Sequence, residues 1–370
     1  MPALAERAAA TEQARRVLPA TVEDIVASGL LRVAVPPCFG GLPLAPDIDY
    51  PLAYEIAAEL GRGCGASAWC YSLWAVHAWM VGYFPEPAQQ EFYATGPATL
   101  CSSSFFAGRD ILATPTDGGL RIAGRWEFSS GSDPASWALL GVGPPGLLAL
   151  VPRSDYEVVD TWHASGLCGS GSNDLLVREA FVPTHRLLDL TRAGLDEHRA
   201  WELHGRLSYR LPLRVPLAWD LVAPLLGIVQ AALDTFVERA RRSPRMADSD
   251  VVQLRLAESA AEIDAARTLF RHAIDGLLAK AARDEPFSEL ERARNQRDRA
   301  FVVRLCMQAI NRLFDSSGGH ALFLSEPIQR CHRDAHAVAH RAGLMLDSVG
   351  PLYGRALLAE TAGPDGSAGR

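Results

Sequence analysis

The sequence predicts an α+β protein whose helices and strands are segregated along the chain, as a helical N-terminal domain, a middle antiparallel β domain and a C-terminal helical bundle. Three observations predict it. Apolar residues recur at helical spacing over residues 1–98, the pattern shortens to alternating runs between turn residues over 99–200, and long helical stretches return over 201–360. Enzymes of the α/β class interleave strands with helices, so this order sets the chain apart from them.

At the N-terminus, AERAAATEQARRVLPATVEDIVASGLLR reads as two amphipathic helices and PLAYEIAAELGRGCGASAWCYSLWAVHAWMVGYF as two more, with PPCFGGLP at 36–43 as the break between the pairs. The β domain is read from TLCSSSFF, LRIAGRWEFSS, WALLGVG, LLALVP and LLVREAFVP, set apart by turn residues such as Asp117-Gly118-Gly119. The bundle comes from AALDTFVERARR, the run from Asp248 to Asp284, LERARNQRDRAFVVRLCMQAINRLFDSS, and IQRCHRDAHAVAHRAGLMLDSVGPLYGRALL. Residues 361–370, TAGPDGSAGR, read as a disordered tail.

With 370 residues, 48% of them hydrophobic, the chain has enough apolar material for two or three layers around a substantial core. The 36 basic residues are outnumbered by 43 acidic ones and lie scattered along helices, with Lys280 the only lysine, so no nucleic acid is expected as a partner. Seven cysteines at irregular spacing form neither a CxxC pair nor a disulfide framework, and a reducing cytoplasm is the expected setting. The charged first twenty residues lack the apolar core of a signal peptide, and no stretch reaches the roughly 20 apolar residues of a membrane helix, so a soluble protein without a membrane partner is expected. No GxGxxG follows a strand, and Gly169-Ser170-Gly171-Ser172 lacks the third glycine and the helix, which leaves it as a tight turn without a nicotinamide site. GxSxG, P-loop and HExxH motifs are absent as well.

Four stretches carry a resemblance: VAVPPCFGGLPL, GRWEFSSGSDPASW, GLCGSGSNDLLVREAFVP and SSGGHALFLSEPIQRCHRDAHAVAH. Together they resemble the acyl-CoA dehydrogenase superfamily over about residues 20–360. They look like its proline and double-glycine turn, its β segment beside the flavin ring, its strand pair ending in Val-Pro, and its Gly-Gly turn before a helix headed by Arg-Asp. Within the superfamily the chain resembles the branch of two-component flavin-dependent monooxygenases. Ser129-Ser130 stands where the dehydrogenases carry threonine-asparagine, a histidine-rich helix stands where they carry a glutamate base, and SAWCYSLWAVHAWM is similar to that branch too. The resemblance implies an oxygenase that takes reduced FMN or FAD from a separate flavin reductase, reacts it with O2, and hydroxylates an aromatic or polyketide-like small molecule, as a homotetramer. Two alternatives stand beside it. One is a flavin-dependent dehydrogenase of acyl thioesters, with Glu326 or another carboxylate standing in as base; the other is a flavin-free descendant that binds a metabolite or catalyses a non-redox step.

Phe128 and Ser130 are the flavin-side pair that the resemblance favours, with Ser129 on the alternate face of the strand; by composition alone FSSG is a strand end entering a turn. In CSSSFF, Ser102 and Ser104 share one strand face and Ser103 takes the other, offering hydroxyls to the flavin edge or a phenol, although a polar edge strand has the same pattern. Ser317, Gly318 and Gly319 combine a hydroxyl with flexible backbone suited to a phosphate, and a helix C-cap is compatible with that. The resemblance implies that an arginine of the first bundle helix meets the flavin phosphate, and Arg239, Arg241 and Arg242 are the candidates here. Trp69, Trp74, Trp79 and Phe105 are candidate pocket walls.

Histidines carry the acid–base candidates. His77, between Trp74 and Trp79 on an apolar helix, is either catalytic or a satisfied core residue. His332, His336 and His340 recur every fourth residue on one predicted helix, drifting about 40° per step. One helix rarely gives three metal ligands in good geometry, so no metal is expected. The resemblance implies a histidine base after Arg333-Asp334. His340 is the nearest match, His336 the second; the register is off by one residue, and Arg341 fills the matching place.

Overall fold

The computed structural model describes residues 2–105, 108–143, 146–193 and 200–361. They divide into two compact units, Met1–Gly227 and Ile228–Arg370. The predicted change from helix to strand and back is present, yet the first helices and the strands share one unit, so the three-way division is one of element type.

In the first unit α1 (Pro2–Ala14) and α2 (Pro19–Ala27) precede α3 (Asp49–Gly63), α4 (Gly65–Val81) and α5 (Glu86–Phe92). Pro19 at the first position of α2 needs no N–H partner and has a backbone preset for helix. α4 is apolar around its whole circumference, and every residue of it but Leu73 is buried, as expected of a helix with no solvent face.

Eight strands follow: β1 (Cys101–Ser104), β2 (Gly108–Thr116), β3 (Gly119–Ser129), β4 (Trp137–Gly141), β5 (Leu147–Pro152), β6 (Glu157–Val159), β7 (Asn173–Pro183) and β8 (Leu187–Asp189). Among the described residues they form two four-stranded sheets, ordered β1-β4-β5-β8 and β2-β3-β7-β6, in which only the β1–β4 pairing is parallel. The sheets close on a core that includes Ile122, Trp126, Leu140, Val151, Leu175 and Val177. Sequence reading missed β2, an edge strand with almost no buried residue, a bulge at Asp110 and a proline, all of which blunt an exposed edge and erase the alternating pattern.

α6 (Ala200–His204) leads to α7 (Trp219–Arg241), α8 (Pro244–Ala247), α9 (Asp250–Ala282), α10 (Glu289–Asp315), α11 (Pro327–Ala339) and α12 (Leu346–Thr361). Ser249 caps α9, and α10 opens with a capping box in which Ser288 and Glu291 satisfy each other's backbone N–H. Glu291 also pairs with Lys280, and α9 packs along α10 with Arg312 forked onto Glu262. The predicted final helix does not run through His340: α11 stops at Ala339, and a 3-10 turn at Ala342–Leu344 separates it from α12. Of the predicted tail at 361–370, Thr361 closes α12 and residues 362–370 lie outside the described residues.

Candidate active site

The tryptophans of α4 pin this helix to its neighbours. A buried indole N–H has to find an acceptor. Trp69 Nε1 donates to Ser130 Oγ at 3.0 Å, Trp74 Nε1 to the Gly131 carbonyl at 3.1 Å, and Trp79 Nε1 to Ser208 Oγ at 3.1 Å. All three rings are fully buried, and Trp79 stacks on Tyr209. Trp69, Trp74 and Trp79 are therefore core anchors rather than pocket walls.

The tryptophans hold the end of β3 and the turn after it. Phe128 sits in the left-handed region at φ 62°, in a bulge of the β3–β7 ladder, and its ring is 52% exposed, edge-on to Trp162 at 6.2 Å. Such a backbone costs about 1–3 kcal/mol and presents a large apolar ring to solvent, a combination typical of binding sites. The bulge also breaks strand alternation. Ser129 is the last residue of β3 and Ser130 lies beyond it; both are buried, Ser129 Oγ has no hydrogen-bond partner among the described residues, and Ser130 Oγ lies 2.6 Å from Ser172 Oγ.

On β1 the predicted pair faces the wrong way. Ser102 and Ser104 are in register with Ala138 and Leu140, which point into the core between the sheets. Ser104 Oγ donates to the Glu127 carbonyl at 2.7 Å, while Ser102 Oγ lies beside the Tyr156 hydroxyl without reaching hydrogen-bond geometry. Ser103 and Phe105 occupy the opposite, partly exposed face, where Phe105 meets the His77 ring edge-on at 5.9 Å. The two-residue period of a strand already separates Ser103 from Ser102 and Ser104.

His77 Nδ1 donates to the Cys101 carbonyl at 2.7 Å, which leaves Nε2 as the lone-pair nitrogen. Burial pushes its pKa down to about 4 against the upward pull of that bond, so the ring is neutral at pH 7. His77 is a satisfied core histidine on one side, with acceptor capacity on the other.

In the second unit Asn311 Oδ1 meets Nε2 of His332 at 3.1 Å and Nε2 of His336 at 2.8 Å, and Phe314 stacks on His332. Burial first, then the neighbouring imidazole, holds both histidines below their usual range. His340 is exposed at the C-cap of α11, with Nδ1 against the His336 carbonyl at 2.7 Å. Its ring stays beside that of His336, centroids 6.1 Å apart, yet the one-residue register question changes character because neither His340 nor Arg341 is helical. Ser317 Oγ donates back to the Leu313 carbonyl at 2.7 Å, the C-cap reading, while Gly318 and Gly319 are open to close approach. Arg241 is exposed near the end of α7, and Arg242 pairs with Glu238. A cavity of about 560 Å³ lies between Gly82–Glu86 and Leu187–Ala193; no predicted site residue lines it.

The residues around Phe128 fit a flat heteroaromatic cofactor. An exposed strained aromatic ring offers it a face, and the orphaned Ser129 hydroxyl beside it offers a polar edge contact. A family model described as acyl-CoA dehydrogenase, C-terminal domain, matches residues 220–344. Over 355 residues the chain is 35% identical to the oxygenase subunit HsaA of a flavin-dependent monooxygenase from Mycobacterium tuberculosis, covering 91% of this chain and 88% of that one. It is 32% identical to the oxygenase component of an FADH(2)-dependent resorcinol hydroxylase from Rhizobium sp. (strain MTP-10005), covering 94% and 89%. Among solved structures it matches XiaF from Streptomyces sp. in complex with FADH2 and glycerol, with a TM-score of 0.85 and 28% identity over 97% of this chain and 92% of that one. The dehydrogenase and flavin-free alternatives give way to these findings: on the acyl-CoA dehydrogenase fold, the chain belongs to the family of oxygenase components of flavin-dependent monooxygenases.

Proposed function

We propose that the chain hydroxylates an aromatic or polyketide-like small molecule, using reduced FMN or FAD delivered by a separate flavin reductase. The observation that carries this is full-length likeness to oxygenase components, two of which are named for aromatic or phenolic hydroxylation. When bound, the reduced flavin supplies the electrons that activate O2. In the first unit Phe128 is assigned to its ring and Ser129 and Ser130 to its polar edge; in the second unit, taken by itself, Gly318, Gly319 and Arg241 keep their candidacy for a phosphate. Ser103 and Phe105, on the partly exposed face of β1, are assigned to a phenolic hydroxyl, and His77, buried with its ring against Phe105, is the candidate acceptor of its proton. His336 and His340 keep their candidacy as second-unit acid–base groups, to be separated by single alanine variants.

Homotetramer formation and a soluble, cytoplasmic setting belong to the same proposal. α7 has the length and apolarity of a membrane span, but 61% of its apolar window is buried in the structure, which supports a core helix. The test supplies the purified chain with a flavin reductase, NADH and a panel of phenols under ¹⁸O2. One labelled oxygen per product is expected, with no product when the reductase is omitted and none from NADH alone. Hydroxylation by NADH and this chain without a reductase overturns the two-component reading.

A further inference from the structure

The Gly169-Ser170-Gly171-Ser172 turn carries two of three hydroxyls that form a buried chain. Ser130 Oγ lies 2.6 Å from Ser172 Oγ, which lies 2.6 Å from Ser170 Oγ, and the three residues are at most 3% exposed. Trp69 Nε1, which can only donate, reaches Ser130 Oγ at 3.0 Å. The heavy atoms are fixed from behind. The Gly131 N–H donates to the Ser170 carbonyl at 2.8 Å, Cys70 Sγ donates to the same carbonyl at 3.4 Å, and Ser132 Oγ donates to the Gly171 carbonyl at 3.4 Å.

Three hydroxyl protons serve two links, so the chain has two polarities. In one, Ser130 donates to Ser172 and Ser172 to Ser170; Ser130 then receives the Trp69 proton and keeps a second lone pair open. In the other, the protons run from Ser170 to Ser130; Trp69 and Ser172 fill both lone pairs of Ser130, and its own proton points out of the chain. The interchange rotates three O–H bonds and moves no heavy atom.

We propose that this chain lets Ser130 present an acceptor to the reduced flavin and a donor to the oxidised one, with Ser172 and Ser170 as positioning residues. The proposal rests on the reading that Ser130 borders the flavin. The N5 atom of a flavin carries a hydrogen when the ring is reduced and a lone pair when it is oxidised, so a hydroxyl of fixed polarity matches one form only. Without Ser172, the acceptor orientation of Ser130 leaves its proton buried and unpaired, and the donor orientation does not.

Anaerobic calorimetric titrations with oxidised and with dithionite-reduced FMN and FAD test this, with thermal denaturation to verify folding. Ser172→Ala is expected to weaken reduced-flavin binding roughly tenfold while changing oxidised-flavin binding by less than about threefold. Ser170→Ala is expected to shift the ratio in the same direction by a smaller factor, and it carries the test if Ser172→Ala does not fold. Ser172→Thr, which keeps a hydroxyl, restores the wild-type ratio. An equal change in both affinities, or no change, overturns the proposal. If Ser130→Ala also alters neither affinity, Ser130 does not border the flavin and the underlying reading fails with it; if Ser130→Ala alters them and Ser172→Ala leaves the ratio unmoved, the hydroxyl chain alone fails.

Discussion

His77 shows what one buried side chain does to both stability and chemistry. Its pKa is about 4 in the folded protein against 6.5 when free, so the unfolded chain binds the extra proton first as pH falls. The stability associated with the neutral ring is complete above pH 6.5 and is lost as pH falls through about 4, a swing of about 3 kcal/mol for this shift. His77→Asn is expected to remove that swing, leaving a flatter dependence of the urea midpoint on pH between 7 and 4. An unchanged slope shows that His77 is not held neutral. The sequence offered the residue and its two readings but not the choice, because the partner of Nδ1 is a backbone carbonyl on β1, 24 positions away. The serines of CSSSFF were legible to the same extent: alternation grouped them correctly, while the direction of each face depends on where the second sheet lies.

At the scale of elements, the turn after β3 is held by the fit between Gly131 and α4. Gly131 has φ 65°, and a Cβ there sits 2.6 Å from Trp74 Nε1, whose proton goes to the Gly131 carbonyl. Gly118, in the hairpin between β2 and β3, has φ 74° with nothing within 4 Å of such a Cβ. Gly131→Ala is expected to lower stability by about 3 kcal/mol, from the backbone and the overpacking together, and Gly118→Ala by about 1 kcal/mol from the backbone alone. Equal losses in chemical denaturation show that the Trp74 contact does not constrain the turn. Long helices and buried strands were legible because their period spans many residues, whereas β6 and β8, three residues each, are too short to show a period. The end of α11 escaped detection because its stop signal is the cap conformation of His340, in a stretch whose apolar spacing continues into the next helix.

At the scale of the whole molecule, the order of helical and β regions was legible from end to end, but the assembly state depends on which apolar residues stay exposed after folding. Leu322, Phe323 and Leu324 follow one another from the end of the 3-10 turn that Gly319 opens and are 72%, 59% and 76% exposed. A fully buried side chain of this size contributes about 1.5–3 kcal/mol, so three consecutive ones left in water are a strong incentive to association. They stand near the turn proposed for the flavin phosphate, so a second copy covering this segment, as the proposed homotetramer would require, is expected to affect cofactor binding as well. Leu322→Asp combined with Leu324→Asp places two charges where a dry contact is needed, and burying them unpaired is costlier than the contact is favourable. The expected outcome in sedimentation velocity is a shift from tetramer to smaller species, with weaker reduced-flavin binding and a melting temperature that no longer rises with protein concentration. A variant that remains tetrameric shows that the segment lies outside the interface, and one that dissociates with unchanged flavin affinity shows that the turn does not depend on a neighbouring copy.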